Sequence, residues 1–493
     1  RAAAARAAAP VRSLGPQSLR AERPVVVTDA TRGRPRHRPN AGTKRPPRLD
    51  TAPNAPGLAA RMAAARLLAA TIDARTPLDG LTDHDHGHPQ FRALDMRDRG
   101  LVRAILATAL RHRLTIEKLI ARRLEKPLPA NATALSHILH VGAAQILFLD
   151  VPDSAAVDLA VTHAKSDPRT VRFSGLVNGV LRALARAKDA ELPQAMADTD
   201  DAPEWFVARL VAAYGEDQAS KILAAHRLES PVDFTVKSDP EKWAAAFGGI
   251  VLPTGTVRIE KLGGPVSDLP GFADGQWWVQ DAAAALPARL FGDIAGKRVA
   301  DLCAAPGGKT AQLALAGAKV TAVEASKNRL TRLAANLDRL GLGAEKVNAD
   351  LLAYEPAEPF DAVLLDAPCS STGTVRRHPD VLWTKSPEDV AKLATVQRKL
   401  LDGAVRLVRP GGTIVFSNCS LDREEGEALV AAFLADHRGR IELDPIRPDE
   451  VPGISAFVTT EGYLRTTPAG LDLGNPAISG LDGFFAARFR RAA

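Results

Sequence analysis

From Leu58 to about residue 190 the apolar positions recur at helical spacing, and no strand-like alternation appears. In LAARMAAARLLAATI (58–72), Arg61 and Arg66 fall on the face opposite the apolar stripe. DRGLVRAILATALRHRLTIEKLIARRL (98–124) predicts two helices. NATALSHILHVGAAQILFLD (131–150) predicts another, with Asn131 as its cap. DSAAVDLAVTHAK (153–165) follows Pro152 and has Asp153 or Ser154 to cap it, and RTVRFSGLVNGVLRALARAK (169–188) completes the set. Residues 58–190 are therefore expected to form an all-α domain. KDAELPQAMADTDD (188–201) predicts a linker. After it come a helical pair in 202–227 and short strands in PVDFTVK, TVRIE and WWVQD, a small α+β part spanning 191–285. From about residue 295 strands and helices alternate. KRVADLCA, AKVTAVEAS, FDAVLLDAP and GGTIVFSNCS are the strands, and the pattern predicts a mostly parallel sheet covered on both faces over 286–493.

The first 57 residues lack any sustained apolar period. RGRPRHRPN and KRPPR cannot offset the entropy of ordering, so a disordered tail is expected there. Up to Arg48 this tail holds twelve Lys/Arg against Glu22 and Asp29, while the whole chain of 493 residues carries only +7. The basic balance thus belongs to an arm and not to the body. Such an arm suits a polyphosphate by counterion release, and a solvated leader without a partner is the alternative. Its Ala/Arg-rich composition is like that of an organelle transit peptide, though it has no apolar core of a secretory signal. The chain opens on Arg1, not Met, which leaves the true start open. No run of eighteen apolar residues exists to span a membrane. Three cysteines, Cys303, Cys369 and Cys419, do not make a disulfide framework and share no metal-ligand spacing. A reducing cytoplasm, no metal and a monomer are expected.

Ligands of an open α/β sheet bind at the carboxyl ends of its strands, and the unusual residues cluster there. The first strand of the alternating region runs out into Asp301-Leu302-Cys303-Ala304-Ala305-Pro306-Gly307-Gly308-Lys309-Thr310. Small residues and paired glycines admit a ligand to the backbone, and a following helix aims its N–H groups at a carboxylate. The next strand ends in Glu324, which suits a ribose diol. Asp350 and Asp366 end the following two. The phosphate-loop spacing is missing, which favours an adenosine ligand without a polyphosphate; a tight βα turn holding no ligand is the bland alternative. Cys369 and Cys419 each lie just beyond a strand end in a polar turn. Buried packing is the ordinary use of cysteine, but two at one sheet edge suit a nucleophile and an assisting thiol. Addition of a thiolate to carbon 6 of cytosine makes carbon 5 able to attack an activated methyl, after which a base removes the carbon-5 proton.

In combination, Asp301–Thr310, Asp366–Gly373 and Ser417–Ser420 resemble the signature motifs of RNA cytosine-5 methyltransferases of the bacterial Sun/Fmu ribosomal RNA type. GQWWVQDAAA (275–284) and RRHPDVLW (376–383) are similar to further stretches of that family, and the likeness covers roughly 200–490. SAAVDLAVTHAK with FSGLVNGVLRAL resembles NusB, which in this family precedes the catalytic domain. The resemblance implies an all-α NusB-like N-terminal domain followed by an α/β Rossmann-like class I methyltransferase domain, with S-adenosylmethionine as cofactor and small-subunit ribosomal RNA as partner. It implies Cys419 as nucleophile and Cys369 as the thiol that helps resolve the adduct. Cys303, Ala304, Ala305, Pro306, Gly307, Gly308, Lys309, Glu324, Asp350 and Asp366 would hold the cofactor, and Asp366 would also meet the cytosine. One departure is Asn418, where the family usually has Thr. Asn178 and Gly179 are expected to set helix packing sooner than to contact RNA. Arg376, Arg377 and His378 are expected to reach phosphates, the alternative being an exposed charge run. Of Trp277 and Trp278, one is expected in the core, base stacking being the other use. His84, His86 and His88 are read as a solvated turn, not a metal site. The rival functions are the same chemistry on tRNA and an RNA-binding assembly factor without activity.

Overall fold

The computed structural model describes residues 55–493. The basic tail expected over 1–57 lies outside them as far as residue 54. Helices over Leu58–Asp73, Met96–Arg111, Arg113–Ala121, Thr133–Phe148, Asp153–Ser166 and Ser174–Ala197 enclose one core. Thr133–Phe148 is its axis: twelve of its sixteen residues are buried, as an all-round apolar helix requires. Gly142 on this helix lets Ser174–Ala197 approach, since a Cβ there would lie 2.6 Å from Leu181 Cδ1. A Cβ at Gly179 would meet nothing within 4 Å, so Gly179 does not serve packing.

Three local expectations need correction. The helix expected to end near Lys188 continues through Pro193 to Ala197, because Leu192 and the fully buried Ala195 pack on the core and Glu191 holds Arg122 and Arg123. This overrides the proline's missing donor. Neither Asn131 nor Asp153 or Ser154 caps its helix; the caps are Ala132 and Pro152 with no side-chain bond, and Asp153 instead receives Lys188 Nζ at 3.0 Å. Arg61 is buried, donating to Gly57 O, not displayed on a polar face.

The strands are β1 (Val232–Val236), β2 (Ile250–Val251), β3 (Val257–Ile259), β4 (Trp277–Val279), β5 (Arg298–Leu302), β6 (Lys319–Val323), β7 (Glu345–Val347), β8 (Phe360–Asp366), β9 (Val408–Asn418), β10 (Ile441–Leu443), β11 (Leu464–Thr466) and β12 (Phe484–Arg491). The first four make an antiparallel sheet in the order β2-β3-β1-β4. Trp277 and Trp278 are both buried there. The main sheet runs β10-β12-β9-β8-β5-β6-β7, parallel from β9 to β7 and antiparallel where β12 joins β9. The order reverses between β5 and β8, the switch point where such sheets open a crevice.

The segment after the β8 turn, 376–384, ties the helical core to the sheet. Arg111 Nη2 donates to Arg376 O (3.0 Å), Trp383 Nε1 to Leu110 O (2.9 Å) and Leu78 N to Asp380 Oδ2 (3.0 Å). Its arginines are structural, contrary to the phosphate-binding expectation. Arg376 is 2% exposed and bonds Ser479 O and Glu229 O; Arg377 bridges the buried Asp281 and Asp482. Burial pushes Asp482 up to about 7 in spite of that arginine. Arg377→Met leaves two buried carboxylates unpaired, so a loss of roughly 3–5 kcal/mol is expected, read as a lowered denaturant midpoint with no change in the slope.

Candidate active site

Strand β5 delivers Asp301 to the sheet edge and turns at Cys303, whose φ of 61° starts a sharp bend. Gly307 has φ 102°, and a Cβ there would sit 3.0 Å from Leu333 Cγ, so the turn needs glycine. Helix Gly308–Leu315 follows. A cavity of about 410 Å³ lies against this turn, lined by Asp301, Cys303, Ala304, Ala305, Pro306, Gly307, Gly308, Lys309 and Asp366, and by Trp278. A second cavity of about 350 Å³ shares Cys303, Ala305 and Asp366 and adds Glu324, Asp350, Cys369 and Cys419. The structure thus brings all twelve predicted residues around two adjoining cavities.

The carboxylates differ in their surroundings. Glu324 is buried and accepts from Ser326 N (3.0 Å) and Ala305 N (3.3 Å), which fixes the end of β6 to the glycine turn. Asp350 is exposed and accepts from Leu352 N (2.9 Å). Asp366 accepts from Ser417 Oγ (2.9 Å) and Lys309 Nζ (2.8 Å). Asp301 is 1% exposed; Oδ2 accepts from Thr310 Oγ1 at 2.6 Å, while Oδ1 has no partner. Burial pushes its carboxyl up to about 7.

Strands β8 and β9 are neighbours with Asp366 opposite Ser417, and the chains beyond them turn toward each other. Cys369 Sγ and Cys419 Sγ stand 3.4 Å apart, both half-buried and both facing the smaller cavity. Ser371 Oγ lies 3.6 Å from Cys419 Sγ and 4.0 Å from Cys369 Sγ. The pair titrates as a unit. Hydrogen bonding from Cys369 draws Cys419 below the ordinary thiol range, while the Cys419 anion, burial and Glu425 raise Cys369 well above it. Cys303 is pushed up to about 12, chiefly by burial, and is a poor thiolate.

A buried polar network that sequence reading missed holds these turns. Glu425, with no exposed surface, accepts from Ser370 N (2.9 Å), Ser370 Oγ and Gln397 Nε2 (2.7 Å). Asn418 donates to Gln397 Oε1 (2.9 Å) and Glu425 O (2.8 Å) and accepts from Ser420 N (3.1 Å). An amide supplies the two donors and one acceptor that this position uses, which a threonine hydroxyl does not. Glu425 sits in the charged stretch DREEGE (422–427), where nothing in the spacing separates a buried acid from solvated ones. The His84–His88 segment is a turn: Asp83, Asp85 and His86 offer ligand atoms within 4.8 Å of one another, but Asp85 and His86 are exposed and Asp83 is paired with Arg332.

Comparison with known proteins agrees along the chain. The family model of 16S rRNA methyltransferase RsmB/F matches residues 293–490, and that of the NusB family matches 58–186. Ribosomal RNA small subunit methyltransferase B of Xylella fastidiosa is 37% identical over 450 residues, covering 88% of this chain and 98% of that protein. The protein of the same name from Klebsiella pneumoniae is 35% identical over 365 residues, covering 70% and 84%. The chain belongs to the RsmB/F methyltransferase family. The RsmB/F fold extends to solved structures: that of PH0851 superposes with a TM-score of 0.67 at 22% identity, covering 89% of this chain and all of that one. The all-α NusB-like domain and the Rossmann-like α/β methyltransferase domain both stand. No helix among the described residues is long and apolar enough to cross a membrane.

Replacing Asn418 with Asp puts an anion among acceptors and removes both donors. Asn418→Asp is expected to cost roughly 3 kcal/mol, seen as a lower melting temperature, with slower alkylation of Cys419 as its turn loosens.

Proposed function

We propose that this chain transfers a methyl group from S-adenosylmethionine to carbon 5 of a cytosine in ribosomal RNA, with 16S rRNA as the substrate, by way of a covalent bond from Cys419. The observation that carries this reading is the pair of sulfurs 3.4 Å apart, facing a cavity that Asp366 also lines. A fold with one core cysteine would not need a second thiol at that distance. The names of the relatives support the RNA class, and the NusB-like domain supports an RNA partner.

The residues present fit the cofactor. Asp301 Oδ1 is a buried acceptor without a protein partner beside the larger cavity, which suits an ammonium group. Glu324 accepts from Ser326 N and Arg329 Nη1 on Oε1 and from Ala305 N on Oε2, which leaves acceptor capacity on Oε2 for a ribose diol, and Asp350 lines the same cavity. The turn from Cys303 through Ala304, Ala305, Pro306, Gly307 and Gly308 to Lys309 offers close backbone approach. When bound, S-adenosylmethionine supplies an electrophilic methyl group.

The chain's own groups do the rest. Cys419, the more acidic sulfur, adds as thiolate to carbon 6, which makes carbon 5 nucleophilic. Asp366, oriented by Ser417 and Lys309, accepts a hydrogen bond from the cytosine amino group. Once the charge on Cys419 has gone into the carbon–sulfur bond, the Cys419 anion no longer opposes ionisation of Cys369, and the Cys369 proton passes to solvent. After methylation Cys369 takes the carbon-5 proton, the carbon–sulfur bond breaks, and Cys419 leaves as thiolate. The starting pair, one proton on two sulfurs, is restored.

Two outcomes test this. Cys419→Ala abolishes label transfer from tritiated S-adenosylmethionine to unmodified small-subunit RNA, while Cys369→Ala accumulates a protein–RNA adduct visible as a gel shift; the reverse pattern would exchange the roles. Asp301 must be ionised to hold an ammonium, and its folded pKa lies near 7. Affinity for S-adenosylmethionine is therefore lost as pH falls through 7, by about tenfold from pH 8 to pH 6. Isothermal titration of Asp301→Asn should show that dependence flattened; an unchanged slope would remove Asp301 from the cofactor site.

A further inference from the structure

Two thiols 3.4 Å apart resist double ionisation, so one proton stays with the pair. The sulfurs are chemically alike, and their surroundings must decide which one keeps it. Cys419 has the Ser371 hydroxyl at 3.6 Å, and the Lys309 ammonium favours its anion. Cys369 is followed by Ser370, whose N–H and hydroxyl both donate to the Glu425 carboxylate. That carboxylate is fully buried and also receives Gln397 Nε2, while the Glu425 carbonyl receives Asn418 Nδ2 from the residue before Cys419. One side chain therefore grips the Cys369 turn, and its own backbone grips the Cys419 turn.

We propose that Glu425 is the positioning residue that assigns the two sulfurs their roles: its buried carboxylate locks the Cys369 turn and leaves the shared proton there, so that Cys419 is the anion. This rests on the cysteine-adduct reading above. An anion beside Cys369 opposes a second charge on it, whereas the Lys309 ammonium favours the anion of Cys419. Burial raises Glu425 itself, while the Ser370 N–H and hydroxyl and the Ser420 hydroxyl favour its charge. The other charged groups around the cluster are already engaged. Lys309 and Asp366 hold each other, Asp422 is held by Arg209, and Arg465 by Glu427. No cation among the described residues forms an ion pair with Glu425, whose carboxylate is held by Ser370 and Gln397.

Alkylation of the whole chain by iodoacetamide, with each cysteine peptide quantified by mass spectrometry, reads the two thiols without RNA or methyl donor. In the unaltered chain Cys419 should react about tenfold faster than Cys369 near neutral pH. Glu425→Gln, isosteric and neutral, should shrink that ratio at least ~3-fold, mainly by quickening Cys369, and Glu425→Asp should restore it in part. A ratio unchanged in folded Glu425→Gln would overturn the proposal, as would equal behaviour of the Asp and Gln variants. If neither variant folds, the unaltered chain still tests it: Cys369 reacting as fast as Cys419, or faster, would overturn it. Failure of the cytosine reading looks different, as methylation that survives Cys419→Ala with the alkylation ratios intact.

Discussion

Strands β8 and β9 run side by side and parallel, with Asp366 level with Ser417, and each carries a cysteine two or three residues past that level. From this register follow the 3.4 Å separation of the sulfurs and their common cavity. A shift of one residue in either strand would turn the side chains to the opposite face and part the thiols. Much of the surrounding structure serves to hold that register. Ser417 bonds Asp366, Gly373 N donates to Cys419 O, and the Glu425 network joins the two turns from below.

The electrostatics of the site follow from how unevenly it is buried. Asp301 is held in an apolar strand end and keeps its proton into the neutral range, while Asp366 beside it is paired with Lys309. Cys303 lies at the same edge as the other two cysteines but is made inert by burial. The helical domain enters through the segment directly after the Cys369 turn. Its hydrogen bonds at Leu78, Leu110 and Arg111 reach residues 376–383, so ordering of that domain and of the Cys369 turn are mechanically linked.

The elements with long, strong periodicity were legible in the sequence, because burial of one face dictates where the apolar residues stand. So were the strand-end residues, because the parallel sheet sends all its carboxyl ends to one edge. Features set by tertiary partners were not. Pro193 reads as a helix stop until Leu192 and Ala195 are seen packed on the core. Arg376 and Arg377 read as phosphate ligands because their partners, Asp281, Asp482 and Ser479, lie about 100 residues away in the chain. Glu425 is hidden among neighbouring acids, and only its burial distinguishes it. Asn418, a departure from the family pattern, is explained by three hydrogen bonds that no local spacing announces.

The most direct measurement is peptide mapping of the protein trapped on small-subunit RNA in which 5-fluorocytidine replaces cytidine, since fluorine at carbon 5 blocks the proton removal that frees the enzyme. A single stable adduct is expected, with the RNA fragment and its added methyl carried on Cys419. An adduct on Cys369, or trapping that leaves both cysteines unmodified, would contradict it.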